Sequence, residues 1–261
     1  MTSELDGRLA LVTGAGKGIG RVIAHRLAGA GAGVALAGRD VAGLRKTLAG
    51  MCGEPRRHLV VPVDLAEPDS VDALFDTVRT SWGRLDILVN NSGIGGPSAP
   101  LWEVDLADWL HTISVNLTGS YLMCKAFLPG MIERRSGSVV LIGSMTGKRP
   151  LLHRSPYAAS KMGLVGLCRT LALDAGPYGV RVNLVSPGFV EGSRMDWVIA
   201  RQTEARGISE AQVREEMTSD APLRRFVTAE DVAEAALFLA SDSAAGVTGA
   251  DLNVSAGLTM Y

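Results

Sequence analysis

Near its N-terminus the chain reads Thr13-Gly14-Ala15-Gly16-Lys17-Gly18-Ile19-Gly20. A short apolar run, residues 9–12, precedes this segment, and residues 21–30 follow it with helical spacing. A strand, a glycine-rich turn and a helix in this order bring backbone N–H groups and a helix N-terminus to face a pyrophosphate. Glycine is needed there because a Cβ would hold the backbone away from the phosphates. The segment therefore predicts a nucleotide site, and the alternative is a glycine-rich surface turn.

Beyond this segment, strand-like and helix-like stretches alternate along the chain. Strand-like runs lie at residues 9–12, 33–38, 58–63, 85–89, 138–142, 180–185 and 251–254. Helical spacing predicts helices at residues 21–30, 41–52, 68–82, 106–128, about 157–175 and 229–240. This alternation indicates one α/β domain, residues 1–261, with a doubly wound, Rossmann-type sheet of seven parallel strands and helices on both faces. Residues 191–225 are polar, charged and helix-prone, which indicates an insertion outside the core.

The composition excludes several classes of protein. The 261 residues are 47% hydrophobic and 20% charged, which favours a sizeable core over disorder. Lysine and arginine total 26 against 27 for aspartate and glutamate, a balance that gives no sign of a nucleic-acid surface. The cysteines Cys52, Cys124 and Cys168 have no metal-ligand spacing, so we expect free thiols in a reducing compartment and no metal. Because residues 1–8 lack a signal-peptide core and no apolar run is long enough to span a bilayer, we expect a cytoplasmic protein with no membrane partner.

The end of the second predicted strand indicates which nicotinamide cofactor binds. In a dinucleotide-binding fold this strand end meets the adenosine ribose, where a carboxylate suits NAD and an arginine suits the 2′-phosphate of NADP. Here Gly38 ends the strand, Arg39 follows, and Lys17 can reach the same phosphate. The pattern favours NADP(H). Asp40 keeps NAD(H) open, although we interpret Asp40 as the cap of the following helix.

Polar residues also follow other strands. Asp64, with Leu65 after it, is placed to contact the adenine, and it can also cap the helix predicted at residues 68–82. The sequence Asn90-Asn91-Ser92-Gly93 after the fourth strand suits a tight turn beside a ligand. Asn116 interrupts the apolar helix predicted at residues 106–128, where a buried amide must find hydrogen-bond partners.

A candidate for proton transfer lies in Tyr157-Ala158-Ala159-Ser160-Lys161. Residues four apart share one face of a helix, so Tyr157 and Lys161 are expected to lie close together. An ammonium group beside a phenol favours its ionised form, which suits the phenol to general acid or base chemistry. Because such a pair also occurs on solvated helix edges, this interpretation depends on the other motifs.

Together these motifs resemble the short-chain dehydrogenase/reductase family, of the compact single-domain kind, over nearly the whole chain. The glycine-rich segment resembles the family's cofactor motif, and Asn90-Asn91-Ser92-Gly93 resembles its Asn-Asn-Ala-Gly turn. Pro187-Gly188 matches the loop beside the nicotinamide. The resemblance implies four catalytic residues: Asn116, Ser144, Tyr157 and Lys161.

The resemblance also implies a role for each residue. Tyr157 would be the general acid in reduction and the base in oxidation, and Ser144 would hydrogen-bond to the substrate oxygen. Lys161 would bind the nicotinamide ribose, and Asn116 would hold a water that relays protons to Lys161. The expected cofactor contacts, besides Tyr157 and Lys161, are Gly14, Gly16, Lys17, Gly18, Ile19, Gly20, Arg39, Asp64, Leu65, Asn91, Pro187, Gly188 and Val190.

Three positions depart from the family pattern. Ser92 replaces the usual alanine of the Asn-Asn turn, and Gly192 stands where a threonine would contact the nicotinamide carboxamide. Ser255-Ala256-Gly257 replaces the common Asp-Gly-Gly near the C-terminus. The departure at Gly192 puts one cofactor contact in doubt and none of the chemistry.

The implied activity is NADP(H)-dependent interconversion of a ketone and a secondary alcohol. The alternatives are an NAD-dependent dehydrogenase of a sugar, polyol or other small alcohol, a 3-oxoacyl-thioester reductase, and a non-catalytic nucleotide-binding protein. The substrate is not identified. A basic cluster formed by Lys148, Arg149, His153 and Arg154 is either a solvated loop or an anion site.

Two expectations concern assembly and access to the site. The family implies a homotetramer formed through the helices predicted at residues 106–128 and 157–175, which are more apolar than solvent-facing helices. The insertion at residues 191–225 is longer than an ordinary loop, which suggests a lid over the active site.

Overall fold

A computed structural model describes residues 4–54 and 57–260. Its sheet has seven parallel strands in the order β3-β2-β1-β4-β5-β6-β7. The strands are β1 (Leu9–Thr13), β2 (Gly33–Gly38), β3 (Leu59–Pro62), β4 (Ile87–Asn90), β5 (Gly137–Ile142), β6 (Val180–Pro187) and β7 (Asp251–Val254). All seven correspond to predicted strands, with ends that shift by up to two residues. The α/β, Rossmann-type architecture is therefore confirmed.

Helices cover both faces of this sheet. The α-helices of the described residues are α1 (Gly18–Gly29), α2 (Val41–Ala49), α3 (Pro68–Trp82), α4 (Leu106–Ile113), α5 (Gly119–Glu133), α6 (Ser155–Ala175), α7 (Ser193–Arg206), α8 (Glu210–Thr218) and α9 (Ala229–Ala240), of which α7 and α8 belong to the polar insertion. In the part of the chain that the structure describes, none is long and apolar enough to cross a membrane.

Side chains of β1 point alternately to the two faces and so divide the core. Leu11 packs with α3, α5 and α6, whereas Ala10 and Val12 pack with α1 and α9. Burial on both faces explains why the strands read as continuous apolar runs. Two thiols also lie in the first of these cores, where burial raises the pKa of Cys124 and Cys168 to about 12.

The helix predicted at residues 106–128 is not continuous, and this prediction was wrong in detail. A π-helical turn, Ser114–Thr118, separates α4 from α5, and α5 continues to Glu133. Asn116 lies in the middle of this turn and is fully buried. Because its amide bonds to a neighbouring loop and to α6, the side chain competes with regular helical packing at this point. Single π turns of this kind are frequent at functional sites.

The polar insertion folds into two helices, α7 and α8, connected through a capping box in which Ser209 and Gln212 bond reciprocally. Ile199, Val213 and Phe226 form a small core of its own. A bridge between Val190 and Val227 closes the base of the insertion. The insertion is therefore a compact unit attached at the carboxyl end of β6.

Ligands of doubly wound sheets bind outside the carboxyl ends of the strands, where the strand order changes direction. Here that point lies between β1 and β4. The glycine-rich segment follows β1 and the Asn-Asn turn follows β4, so the fold brings two of the predicted motifs together.

Candidate active site

The glycine-rich segment crosses the gap between β1 and α1. Gly14 and Gly18 have φ values of 66° and 53°, which favour glycine. A Cβ on Gly20 would lie 2.4 Å from the carbonyl oxygen of Gly14, so the turn requires glycine there as well. A Cβ on Gly18 would meet nothing within 4 Å, so the side of the loop beside the start of α1 is open. This open helix N-terminus fits the pyrophosphate of a dinucleotide.

Side-chain hydrogen bonds connect the glycine-rich segment to the Asn-Asn turn. Asn91 Nδ2 donates to the carbonyl of Thr13 at 2.9 Å. Thr13 Oγ1 accepts from the backbone N–H groups of Asn91 at 2.9 Å and Ser92 at 3.0 Å. Asn91 thus fixes the start of the glycine-rich segment to the Asn-Asn turn. Thr13 is the first residue of the glycine-rich segment, but the sequence analysis did not assign it a role in the site. A hydroxyl at the end of an apolar strand could have indicated one.

A second set of contacts supports the loop from α1 and α2. The guanidinium of Arg21 donates to the carbonyl of Gly16 and, at 3.0 Å, to Thr47 Oγ1. Thr47 is fully buried and donates to the carbonyl of Ala15 at 2.8 Å. Neither Arg21 nor Thr47 was predicted, since their role depends on a packing of α2 against the loop that the sequence pattern does not show.

The structure resolves the role of Asp40 beside the predicted ribose site. Asp40 Oδ1 accepts from the backbone N–H of Gly43 at 2.9 Å and caps α2, as predicted. Lys17 and Arg39 are exposed, and Arg39 Nη1 lies 3.6 Å from Asp64 Oδ2. The prediction had placed two cations and no acid at this point, whereas Asp64 is an acid that reaches Arg39 from the end of β3.

Asp64 does not cap α3, so that alternative was wrong. The residue at the cap position is Glu67, because α3 begins at Pro68 and two residues separate Asp64 from the cap position. Asp64 Oδ1 instead accepts from the N–H of Ala66 at 3.0 Å. The side chain of Leu65 is buried against Gly119, so only its backbone can serve a cofactor.

Lys161 is the buried cation of the site. Its side chain is 4% exposed, and Nζ donates to the carbonyl of Ile142 at 2.8 Å. Nζ also lies 5.8 Å from the centre of the Tyr157 ring. A Cβ added to Gly93 would come within 3.3 Å of both Lys161 Nζ and Asn116 Oδ1. The structure therefore brings together the Asn-Asn turn, the π turn and α6.

The amide of Asn116 is fully engaged. Its Oδ1 accepts from the N–H of Ile94 at 2.8 Å, and Nδ2 donates to the Ile94 carbonyl and to Ser160 Oγ, both at 3.0 Å. Ser160 Oγ in turn donates to the carbonyl of Tyr157 at 2.8 Å. Asn116 thus links the loop after β4 to the first turns of α6. Ser160 was not predicted as functional, although it directly precedes Lys161 in the segment Tyr157-Ala158-Ala159-Ser160-Lys161.

Ser144 and Tyr157 begin neighbouring segments at the same edge of the sheet. Ser144 follows β5, accepts from the N–H of Thr146 at 3.1 Å and donates to Thr146 Oγ1 at 3.2 Å. Tyr157 lies in the first turn of α6 and is half-buried. The guanidinium carbon of Arg154 is 5.3 Å from the centre of the Tyr157 ring.

Two members of the basic cluster are paired with carboxylates. Lys148 pairs with Asp251 at 2.7 Å, and both side chains are at most 10% exposed. Arg149 pairs with Asp220 at 2.5 Å. Two of the four cations are therefore neutralised by carboxylates from distant parts of the chain, which sequence spacing does not show.

Pro187 ends β6, and Gly188 presses against the chain after β7. A Cβ on Gly188 would lie 2.8 Å from Ser255 Cα, and the Gly188 N–H donates to the Val254 carbonyl at 2.8 Å. Val190, two residues on, forms the bridge to Val227 at the base of the insertion. These three residues therefore form one wall of the candidate site, beside the two-helix insertion.

Comparison with known proteins decides the family. A family model described as enoyl-(acyl carrier protein) reductase matches residues 14–259. D-threitol dehydrogenase of Mycolicibacterium smegmatis is 38% identical over 98% of this chain and 95% of its own length. The chain belongs to the short-chain dehydrogenase/reductase family. The resemblance inferred from the motifs is thus confirmed.

Two further family members show how varied the relatives are. Cis-4-hydroxycyclohexanecarboxylate dehydrogenase of Sinomonas cyclohexanicum is 39% identical over 97% of this chain and 96% of its own length. The crystal structure of an F189W actinorhodin polyketide ketoreductase with NADPH matches with a TM-score of 0.90 and 36% identity, and the match covers 100% of both chains. The family is one of oxidoreductases that act on small molecules. The names of these three relatives indicate a polyol, a hydroxy acid and a polyketide as their substrates.

Proposed function

We propose that this protein is an NADP(H)-dependent oxidoreductase that interconverts a ketone and a secondary alcohol, with Tyr157 as the general acid or base. The observation that carries the proposal is the buried ammonium of Lys161, fixed to the Ile142 carbonyl and 5.8 Å from the Tyr157 ring. A bound nicotinamide would supply or accept the hydride, so the protein contributes orientation and electrostatics.

Each residue has a task that follows from its contacts. In reduction, Tyr157 gives its phenolic proton to the carbonyl oxygen, and the nearby Lys161 stabilises the phenolate. The Ser144 hydroxyl turns its hydrogen from Thr146 Oγ1 to the same oxygen as negative charge develops there. Both N–H groups of Asn116 are already used, so its side chain holds α6 and the Ile94 loop in place, and a water of a proton relay would have to donate to one of its oxygens.

Three other activities remain candidates within this proposal. A polyol or other alcohol dehydrogenase using NAD is supported by the threitol relative and by the acid, Asp64, beside Arg39. A 3-oxoacyl-thioester reductase is supported by the description of the family model and by the ketoreductase neighbour. A non-catalytic nucleotide-binding protein is less well supported, because Asn116, Ser144, Tyr157 and Lys161 are all retained.

The test is a panel of substrates assayed by cofactor absorbance with NADPH, NADH, NADP⁺ and NAD⁺. The panel contains a tetritol, a hydroxycyclohexanecarboxylate, a polycyclic ketone and a 3-oxoacyl thioester. We expect turnover of at least one ketone or alcohol, faster with the NADP pair. If a cofactor binds in a fluorescence titration and no compound is turned over, the non-catalytic alternative gains support.

The insertion at residues 191–225 is proposed to close over the bound substrate. Its helices α7 and α8 contact each other through ion pairs such as Asp196–Arg214 at 3.0 Å, so they can move as one unit about the Val190–Val227 bridge. We expect slower amide hydrogen exchange in α7 and α8 when cofactor and substrate are both bound, with α9 as the unchanged reference. Equal exchange in the free and ternary states would contradict a lid.

The expected quaternary structure is a homotetramer that covers the apolar side chains of α4, α5 and α6. Leu106 is 71% exposed, Leu110 is 55% exposed and Leu173 is 79% exposed in the single chain. Two-fold pairing of these helices would remove that surface from water. Multi-angle light scattering at micromolar concentration should give a tetramer, and Leu173→Glu should reduce the mass. A monomeric wild-type protein would refute the proposal.

We also propose a cytoplasmic location, in keeping with the free cysteines Cys52, Cys124 and Cys168.

A further inference from the structure

A buried ion pair joins the turn after β5 to the last strand of the sheet. Lys148 Nζ lies 2.7 Å from Asp251 Oδ2, and the two side chains are 10% and 8% exposed. Lys148 Nζ also donates to Asn253 Oδ1 at 2.5 Å. Burying two charges removes their hydration, so such pairs are weak evidence for stability and often serve to fix one arrangement of a structure. This pair joins segments that are far apart along the chain.

The carboxylate of Asp251 contacts two segments of the candidate site at once. Its Oδ2 meets Lys148, and its Oδ1 accepts from Ser186 Oγ at 2.7 Å. Ser186 immediately precedes Pro187 and Gly188, which form one wall of the site. We call Asp251, Lys148 and Ser186 the Asp251 cluster.

Lys148 is connected to Ser144 through one short turn. Ser144 Oγ accepts from the N–H of Thr146 at the start of the turn, and the N–H of Lys148 donates to the Met145 carbonyl at 2.9 Å at its end. The N–H of Arg149 donates to the same carbonyl at 2.7 Å. Anchoring Lys148 to the sheet therefore anchors the whole turn that carries the Ser144 hydroxyl.

We infer that Asp251 and Lys148 are positioning residues, which hold the Ser144 hydroxyl and the Pro187–Gly188 wall in a fixed relation during the reaction. They act through Ser144 and do not touch the substrate. An ion pair suits this task because its two members also make directional hydrogen bonds, from Lys148 to Asn253 and from Ser186 to Asp251. Buried ionic groups with such contacts fix one arrangement in some proteins. The inference rests on the proposed function, since it assigns Ser144 to the substrate oxygen.

The test removes both charges and keeps the shape of the site. In the double variant Lys148→Met, Asp251→Asn, neither charge is left unpaired, and the asparagine oxygen can still accept from Ser186. Replacing a buried ion pair by hydrophobic residues of similar volume is often neutral or stabilising. Here methionine replaces the lysine, and asparagine keeps the size of the aspartate, so we expect a folded protein with a melting temperature within a few degrees of the wild type. The matched control is Arg149→Met, Asp220→Asn, which removes the adjacent, more exposed pair.

We expect kcat of the double variant to fall about 10- to 100-fold. This loss is no larger than the decrease in kcat of about 100-fold or more that follows removal of one hydrogen-bond donor to a developing oxyanion. The primary isotope effect with deuterated NADPH should increase, because hydride transfer becomes more rate-limiting. A merely smaller folded fraction would leave the isotope effect unchanged. In the cofactor-free protein, amide exchange at Lys148 and Arg149 should be at least 10-fold faster, while the amides of β5 keep their wild-type rates.

The possible failures are distinct. If wild type turns over no ketone and no alcohol with either nicotinamide cofactor, the proposed function fails, and the exchange measurement still tests whether the Asp251 cluster holds the turn. If wild type is active and the double variant keeps its kcat, isotope effect and exchange rates, the positioning role is wrong. Equal losses in the control variant would also overturn it, because the effect would then not belong to the buried pair.

Discussion

Replacing Tyr157 by phenylalanine is expected to lower kcat at least 100-fold while the protein keeps its fold and its affinity for cofactor. The change removes one oxygen from a half-buried ring, so the packing of α6 stays the same. It removes the group that exchanges the proton, and a positioned general acid or base typically contributes ~10²–10⁴-fold. A 100-fold loss corresponds to about 2.7 kcal/mol in the activation barrier.

The measurement is steady-state kinetics together with a cofactor titration followed by fluorescence. Tyr178→Phe is the matched control, because Tyr178 is exposed and lies at the end of the sheet away from the site. The control should keep wild-type kcat. Activity of Tyr157→Phe within a few-fold of the wild type would show that another group transfers the proton.

Much of the architecture was predictable because its signals are local. The central strands of the parallel sheet are buried on both faces and are apolar runs, and glycine-rich and asparagine-rich turns mark the ends of β1 and β4, where the strand order changes direction. Asp40 as the cap of α2 was also predictable, since capping depends only on the next few residues. Such features need no knowledge of the tertiary packing.

What the sequence did not show depends on pairs that are distant along the chain. Asp251 pairs with Lys148 across 103 residues, so the sequence could not show that one of the adjacent cations is buried against a carboxylate. The π turn at Asn116 exists because its amide bonds to Ile94 and Ser160, neither of which belongs to its own helix. In both cases a tertiary contact overrides the local pattern.

Cofactor choice combines both kinds of information. The sequence places Arg39 directly after Gly38 and Lys17 inside the glycine-rich segment, which favours the 2′-phosphate of NADP(H). The structure adds Asp64, whose carboxylate lies 3.6 Å from Arg39. The two side chains are 59% and 36% exposed, and an exposed pair of this kind contributes little. A phosphate with up to two negative charges, bound in a bidentate way, should therefore replace Asp64 as the partner of Arg39.

Wild type is accordingly expected to prefer NADPH to NADH by about 100-fold in kcat/KM, since two charge-assisted contacts to the phosphate together supply that factor or more. The double variant Lys17→Ala, Arg39→Ala should lose the preference, chiefly through a higher KM for NADPH. Asp64→Asn should strengthen the preference, because a carboxylate beside the phosphate is removed while any loss of adenine contact affects both cofactors alike. Arg45→Ala, which removes an exposed cation from α2, is the control and should leave the ratio unchanged. A wild-type preference for NADH would overturn the assignment and would indicate that a carboxylate, Asp40 or Asp64, binds the ribose.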